Sequence, residues 1–357
     1  MAIANAIAIA VGGIPVGFSD FSAKTSHQTD AYVNTQADLN IPGNALTLDA
    51  ISHSTAKSGE VTIQLGGIPI AIAQPNAEAG GGTRVFVGEG AKIQAATLDA
   101  TANATNTATA TTLLANLGGI VVGAAAPTAK TTHKTEAFIG AKANDGPADV
   151  APGEITLSGG DSIDFLAKST NDASVAAVGV AIGAITVNVV LPKIEAGGST
   201  AAHVGGKFTI NRDVNATADS TNTATGNSIA VSVGAIPIGF SEANATNSHV
   251  TDAYVNTRSD LTFTGSDLAL SAVSHNTAKS GEVAIQLGAI SINVAKPHAT
   301  AGGSTRAFID QGANVAATSL TATSDSTSNA LVKTLLVSLG AITVVSVSPT
   351  AETTHNT

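Results

Sequence analysis

The side chains of this 357-residue sequence best suited to chemistry are its eight histidines and one cluster of acids. His27, His133, His249 and His355 stand in matching settings, "SHQT", "THKT", "SHVT" and "THNT". No HExxH and no close His pair accompanies them, so a metal-hydrolase arrangement is not spelled out. Repetition alone accounts for their recurrence. Asp145, Asp149, Glu154, Asp161 and Asp164 crowd into one stretch rich in Gly and Pro. Asp145, Asp149 and Asp161 are the calcium candidates, because Ca²⁺ takes roughly six to eight oxygen ligands. The stretch lacks the EF-hand pattern and the glycine-aspartate nonapeptide, so a solvated acidic loop is the simpler expectation. No other cofactor is called for. Ser, His and Asp abound, but nothing gathers them into a triad, and an enzyme does not usually repeat its site along the chain. No Gly-rich stretch precedes a helix to cradle a phosphate. Thr105, Thr107, Thr109 and Thr111 alternate and could order water as a flat hydroxyl array, although outward Thr is ordinary on strands.

The composition narrows the class. Apolar residues make up 43 % of the chain, charged residues 12 % and aromatics 3 %, with no Trp and no Cys. Typical globular proteins carry roughly 25 % charge. A core of Ala, Val, Ile and Leu must be thin, unlike a pocket lined with large side chains. The net charge of −10 argues against nucleic acid. Apolar runs are short and alternating, so no membrane-spanning helix is expected. "MAIANAIAIAVGG" lacks a basic n-region, so no signal peptide is read there and Met1 is expected to be an added start.

Repeats set the architecture. "TDAYVNT" occurs at 29–35 and again at 251–257; "SGEVTIQLGG" (58–67) returns as "SGEVAIQLGA" (280–289). The offset is 222 residues and holds without a gap from Asn5/Asn227 to Thr135/Thr357. Copy one is therefore 5–226 and partial copy two 227–357, within a single repetitive domain spanning 1–357; an array longer than this chain is expected. A shorter period lies inside. An apolar alternation is interrupted by a small pair that starts at Gly12, Gly66, Gly118, Gly183, Gly234, Gly288 and Gly340, spaced 54, 52, 65, 51, 54 and 52. Apolar parity shifts by one residue at every pair. Val61, Ile63 and Leu65, for example, give way to Ile68, Ile70 and Ile72. That pattern predicts a strand broken by a corner or bulge, after which the apolar residues still point inward. The first position must have a positive φ or no room for a Cβ; the second needs only to be small.

A second motif follows each corner, Thr-x-(Ala/Val)-aromatic-(Val/Ile). Its ring positions are Tyr32, Phe86, Phe138, His203, Tyr254 and Phe308, and a ladder of stacked rings is the natural reading. Its variable positions are Asp30, Arg84, Glu136, Ala201, Asp252 and Arg306. Acid and base alternate, as columns of parallel strands about 4.8 Å apart would favour. A third element, such as "ALTLDA" (45–50) or "IDFLA" (163–167), leads into a polar Thr/Ser/Asn/Ala stretch and back to the next corner. No unit shows a helical period, and none can bury its apolar face alone. The expected fold is all-β, a parallel β-solenoid (β-helix) of about seven stacked repeats of roughly 52 residues. Whether a unit makes one large turn or two small ones stays open. The irregular unit adds about 13 residues, read as a projecting loop over 141–162.

"GAITVNVVLPKIEAGGSTAAHVGG", followed by a strand ending in "NATADSTNTA", resembles the β-strand repeats of large bacterial filamentous adhesins of the leukotoxin type. The resemblance covers nearly the whole chain. It implies a secreted β-solenoid shaft at the cell surface, serving adhesion, biofilm matrix or filament formation. So regular a repeat, one full and one partial copy at a 222-residue offset, points to a structural spacer or fibre protomer rather than a toxin. The expected function is a non-enzymatic extracellular structural protein that self-associates end to end or side by side, with a host or neighbouring-cell surface as a further partner. The alternative is a ligand-binding solenoid for glycan, calcium or ice. A polysaccharide-acting enzyme would need a carboxylate cluster in a basic, aromatic groove, which the sparse charge does not supply.

Overall fold

The computed structural model describes residues 1–142, 151–160 and 162–357. Among them there is no helix, and the strands pair in parallel in three sheets. One unit traces the pattern. Ile163–Ile182 runs as one long strand, and Gly183–Ala184 turns the chain. Ile185–Val190, Lys193–Ala196 and Ser199–Val204 carry it back. Pro192 and the Gly197–Gly198 pair break this return side, because proline has no N–H to donate and Gly198 holds φ 112°. Lys207–Ile210 forms a short third side, and Val214 opens the next long strand. Each unit is therefore one turn, which answers the question the sequence left open.

The long strands stack into a 7-stranded sheet, the return strands into a 16-stranded sheet, and the short strands into a 6-stranded one. Register holds along the whole of each long strand: Ile163 lies beside Val214 and Ile182 beside Val233, with no slip between. Equivalent residues of successive units thus form columns, spaced about 4.8 Å apart.

The interior changes character along each turn. Beside the short sheet it is thick, filled by Phe165, Phe208, Phe263, Leu98, Ile139 and Ile155. In the middle it thins to alanine, with Ala108, Ala110, Ala129, Ala173 and Ala224 facing one another. Near the Gly corner it becomes polar. Thr62, Gln64, Asn116, Asn188 and Gln286 are buried there, together with Glu60 and Glu282. Small residues make the room: the amides of Gln64, Asn116, Asn188 and Gln286 occupy the space that a Cβ would take on Gly17, Gly123, Gly179 and Gly239.

This polar end corrects one expectation and decides between the two reasons offered for the corner glycine. Val61, Ile63 and Leu65 point outward, not inward, and so do Ile68, Ile70 and Ile72 beyond the corner. The skipped residue does keep the apolar series on one side of the sheet, but that side is the outer one. The reason is space, since two sheets closing on a tight corner leave room for Ala, Gly, Ser and a flat amide, not for opposed Ile and Leu. The corner glycines, moreover, do not have positive φ. A Cβ on Gly66 would overlap the carbonyl oxygen of Gly12 and the Pro15 ring, and one on Gly118 the carbonyl of Gly66. Close approach of successive turns is what selects glycine at Gly66, Gly118, Gly183, Gly234, Gly288 and Gly340. Gly12, in the first turn, has nothing within reach.

The loop expected over 141–162 is also shorter than anticipated. Gly153–Leu157 is a strand of the short sheet, paired with Lys92–Ala95 on one side and Lys207–Ile210 on the other. The register offset to the preceding turn is 52 at Ile139, 62 at Ile155 and 65 at Asp164, so ten of the extra residues enter between Ile139 and Glu154 and three between Leu157 and Asp164. Gly66→Val is expected to cost about 3 kcal/mol or more, because the facing carbonyl is fixed by backbone bonds. Gly67→Ala should stay within about 1 kcal/mol, as Ala184, Ala235, Ala289 and Ala341 hold the same place. Chemical denaturation of the two variants checks both values.

Candidate functional site

The chemistry-bearing residues are brought together as columns, and Arg84 and Glu136 of one column, with His27, Gln28, Gly81 and Lys134, also line a cleft of about 640 Å³ on the outer side of the return sheet. The rings of Tyr32, Phe86, Phe138, His203, Tyr254 and Phe308 form one continuous stack, with centroids 4.8, 5.0, 4.6, 4.8 and 5.1 Å apart and planes within 15° of parallel. Strand register fixes that spacing. The rings lie on the outer side of the return sheet, yet Phe138, His203 and Tyr254 are buried. The chain leaving Ile139 runs up the stack here, and Asn256, two turns on, donates to the carbonyl of Lys142 at 2.8 Å. Burial drives the pKa of His203 down to about 3 and pushes the Tyr254 phenol well above its usual range.

Beside the rings runs the charge column. Arg84 holds Asp30 through two hydrogen bonds, 3.0 and 2.7 Å, and Arg306 holds Asp252 with the same geometry. Arg84 keeps the Asp30 carboxyl below the usual range. Glu136 lies one turn above Arg84 in register but forms no ion pair with it; burial raises its carboxyl. Ala201 separates Glu136 from Asp252, so two acids are never neighbours in the column.

Three of the four histidines of the Thr-rich turns, His133, His249 and His355, end a hydroxyl relay, the first two fully buried; His27, in the first turn, is half-buried and joins none. Ser169 Oγ lies 2.6 Å from Thr200 Oγ1, which lies 2.9 Å from His249 Nε2; His249 Nδ1 is 3.3 Å from the Gly197 carbonyl. That carbonyl can only accept, so Nδ1 carries the proton, Nε2 accepts from Thr200, and Ser169 donates to Thr200. Ser52, Thr83 and His133 repeat the chain at 2.5 and 2.8 Å, and Ser274, Thr305 and His355 at 2.6 and 2.8 Å. Each His leans toward the turn before it, where the column holds a glycine: Gly81, Gly198 and Gly303, with φ of 125°, 112° and 106°. A Cβ on any of the three would overlap the carbonyl of the preceding histidine. His and Gly thus alternate turn by turn. Next to the relay, Asn106, Asn171, Asn222 and Asn276 bond side chain to side chain at 2.8, 2.7 and 2.9 Å.

Such a relay could move a proton, but Ser169, Thr200 and His249 are at most 2 % exposed. Among the described residues no carboxylate completes a triad, and the serine is closed off from solvent. Burial lowers the pKa of His133 and His249 to about 4, which keeps both rings neutral near pH 7. Among the described residues no group of three His, Cys, Asp or Glu could hold a metal ion. The calcium candidates Asp145, Asp149 and Asp161 lie outside the described residues.

The remaining feature is an apolar belt around the corner edge. On the long sheet the outward columns run Ile7, Val61, Leu113, Val178, Ile229, Val283, Leu335, then Ile9, Ile63, Ala115, Val180, Val231, Ile285, Val337, then Val11, Leu65, Leu117, Ile182, Val233, Leu287, Leu339. Beyond the corner, Ile14, Ile68, Ile120, Ile185, Ile236, Ile290 and Ile342 give an isoleucine at every turn. The next column, from Val16 and Ile70 to Ile292 and Val344, is β-branched throughout. These columns contain no polar or charged residue.

Comparison with family models, with curated proteins and with solved structures finds no match for this chain.

Sequence reasoning found the rings, the charges and the corners. It passed over the Ser–Thr–His relay, whose signal was "GGT" or "GGST" standing at alternate turns where the others have "HQT", "HKT" or "HVT". The pH dependence follows in sign. Unfolded His249 takes up a proton near pH 6.5 and the folded ring only near pH 4. Its contribution is therefore complete above pH 6.5 and lost as pH falls toward 4. The drop in melting temperature caused by His249→Gln should be largest above pH 7 and shrink progressively by pH 4.5. A pH-independent difference between the two melting curves would contradict a buried neutral ring.

Proposed function

We propose that this chain is a non-enzymatic structural segment, part of the shaft of a repetitive extracellular adhesin or of a self-assembling surface or matrix filament. The observation that carries the reading is the unbroken register of the columns through seven turns. Ring stack, charge pairs, amide ladder and hydroxyl relay all serve to align one turn on the next. The charge column borders an open cleft lined by His27, Gln28, Gly81, Arg84, Lys134 and Glu136, whereas the amide ladder and the Ser169–Thr200–His249 relay are closed off from solvent. A stack of this kind transmits load along its axis through backbone bonds, and its length scales with repeat number. The resemblance to filamentous-adhesin repeats supports placing it outside the cell, and a chain without Cys is compatible with that where repetition supplies the stability.

The 357-residue chain leaves Ala2–Gly12 and Leu320–Leu339 each paired on one side only. Open sheet edges recruit further strands. Electron microscopy of the purified chain should show slabs joined end to end into rods, and removal of calcium with EDTA should leave the melting curve unchanged. Monodisperse short particles would remove the filament reading. A large fall in melting temperature with EDTA would favour a calcium-binding solenoid instead.

A further inference from the structure

We infer that the apolar belt around the Gly corner is a contact surface for a second copy of this chain lying alongside, with its turns parallel or antiparallel to the first. The inference rests on the structural reading above and adds the surface and the partner.

Seven turns at about 4.8 Å and three outward residues at roughly 6.6 Å spacing give the long-sheet face of the belt an area of about 600–700 Å², and the two columns of the return side about 400–450 Å². The long-sheet face already equals or exceeds the largest patch on a typical monomer. Two copies meeting through that face would bury about 1,200–1,400 Å², within the range of stable interfaces. The partner must also fit a ridge pattern that recurs every turn from Ile14 to Ile342. A non-repetitive protein can match a few turns of it; a second solenoid of the same rise matches them all. On the return sheet Asp20, Gln74, Glu242 and Lys296 stand in one column four residues beyond Val16 and Ile70, a polar rim on that side of the apolar centre. A lipid surface fits less well. The chain's net charge of −10 opposes an anionic bilayer. Glu60 and Glu282 lie buried directly beneath the belt, and immersing that edge in hydrocarbon would remove what solvent still screens them.

Analytical ultracentrifugation of the purified chain at several concentrations tests the proposal, with Ile182→Lys/Ile290→Glu as the disrupting variant and Thr221→Lys as the control on the polar part of the long sheet. Wild type and Thr221→Lys should sediment at twice the 35.0 kDa chain mass or more, with the double variant shifted at least tenfold toward smaller species. Should the double variant fail to fold by circular dichroism, Ile182→Thr/Ile290→Thr keeps β-branching and should weaken association in the same direction. Equal association of wild type and folded variants overturns the proposal. So does a monomeric wild type that floats with neutral phosphatidylcholine vesicles while the variants do not, which would assign the belt to lipid. Rods in the microscope whose side-by-side contacts survive the substitutions would sink the belt as interface and leave the shaft reading standing; a wild type showing neither rods nor association would end both.

Discussion

Parallel strands in unbroken register place each residue about 4.8 Å from its counterpart in the next turn. This single constraint shapes the rest of the molecule. A column must tolerate its own neighbours, so every side chain is selected for what lies above and below it. Flat rings tolerate repetition by stacking, and six do so from Tyr32 to Phe308. Amides tolerate it by bonding donor to acceptor, as Asn106 to Asn276 do. Charges tolerate it only by alternating in sign or by being spaced with alanine, and the Asp30 column does both. Histidine is too large to repeat at every turn in a thin interior, and it alternates with glycine.

The same constraint explains a cross-section that tapers. Large apolar groups fill the interior mainly where the short third sheet holds the long and return sheets apart, around Phe165 and Phe208; elsewhere Leu114 and Ile194 fit because a glycine, Gly123 or Gly226, lies opposite. Toward the Gly corner the two sheets converge and the interior fills with alanine, hydroxyls and amides. The bulky aliphatic residues of that region face out. Burial is thus partly inverted along each turn, and the edge that is polar within is apolar without. Exposed to water, such an apolar edge carries a hydration cost that contact with another surface would relieve.

The sequence made much of this legible because repetition displays columns directly. Aligning the units put Tyr32, Phe86 and Phe138 in one line and acid opposite base in the next, and the structure has them there. Which side of a strand faces inward was not legible at the corner. A period of two separates the faces but does not label them, and the usual assignment of apolar to inside fails when the interior is too narrow. Thr62 and Gln64 inside, with Ile63 and Leu65 outside, read identically to the reverse. The true signal was size: Ala, Gly, Ser, Thr and amides recur at the inward positions near each corner, while the outward ones hold nothing smaller than Ala115. One turn per unit was equally hidden, since strand length depends on where corners fall, and long strands such as Thr97–Gly118 carry no internal punctuation.

The most direct test is a distance between two points on one column. His53 and His275 are exposed, lie in register through Thr105, Thr170 and Thr221, and are 222 residues apart in a chain without cysteine. Spin labels on cysteines introduced at both positions should be separated by about four strand spacings, near 19 Å, in a pulsed electron-resonance measurement. A separation near twice that would mean two turns per unit and would contradict the stacked architecture on which the account stands.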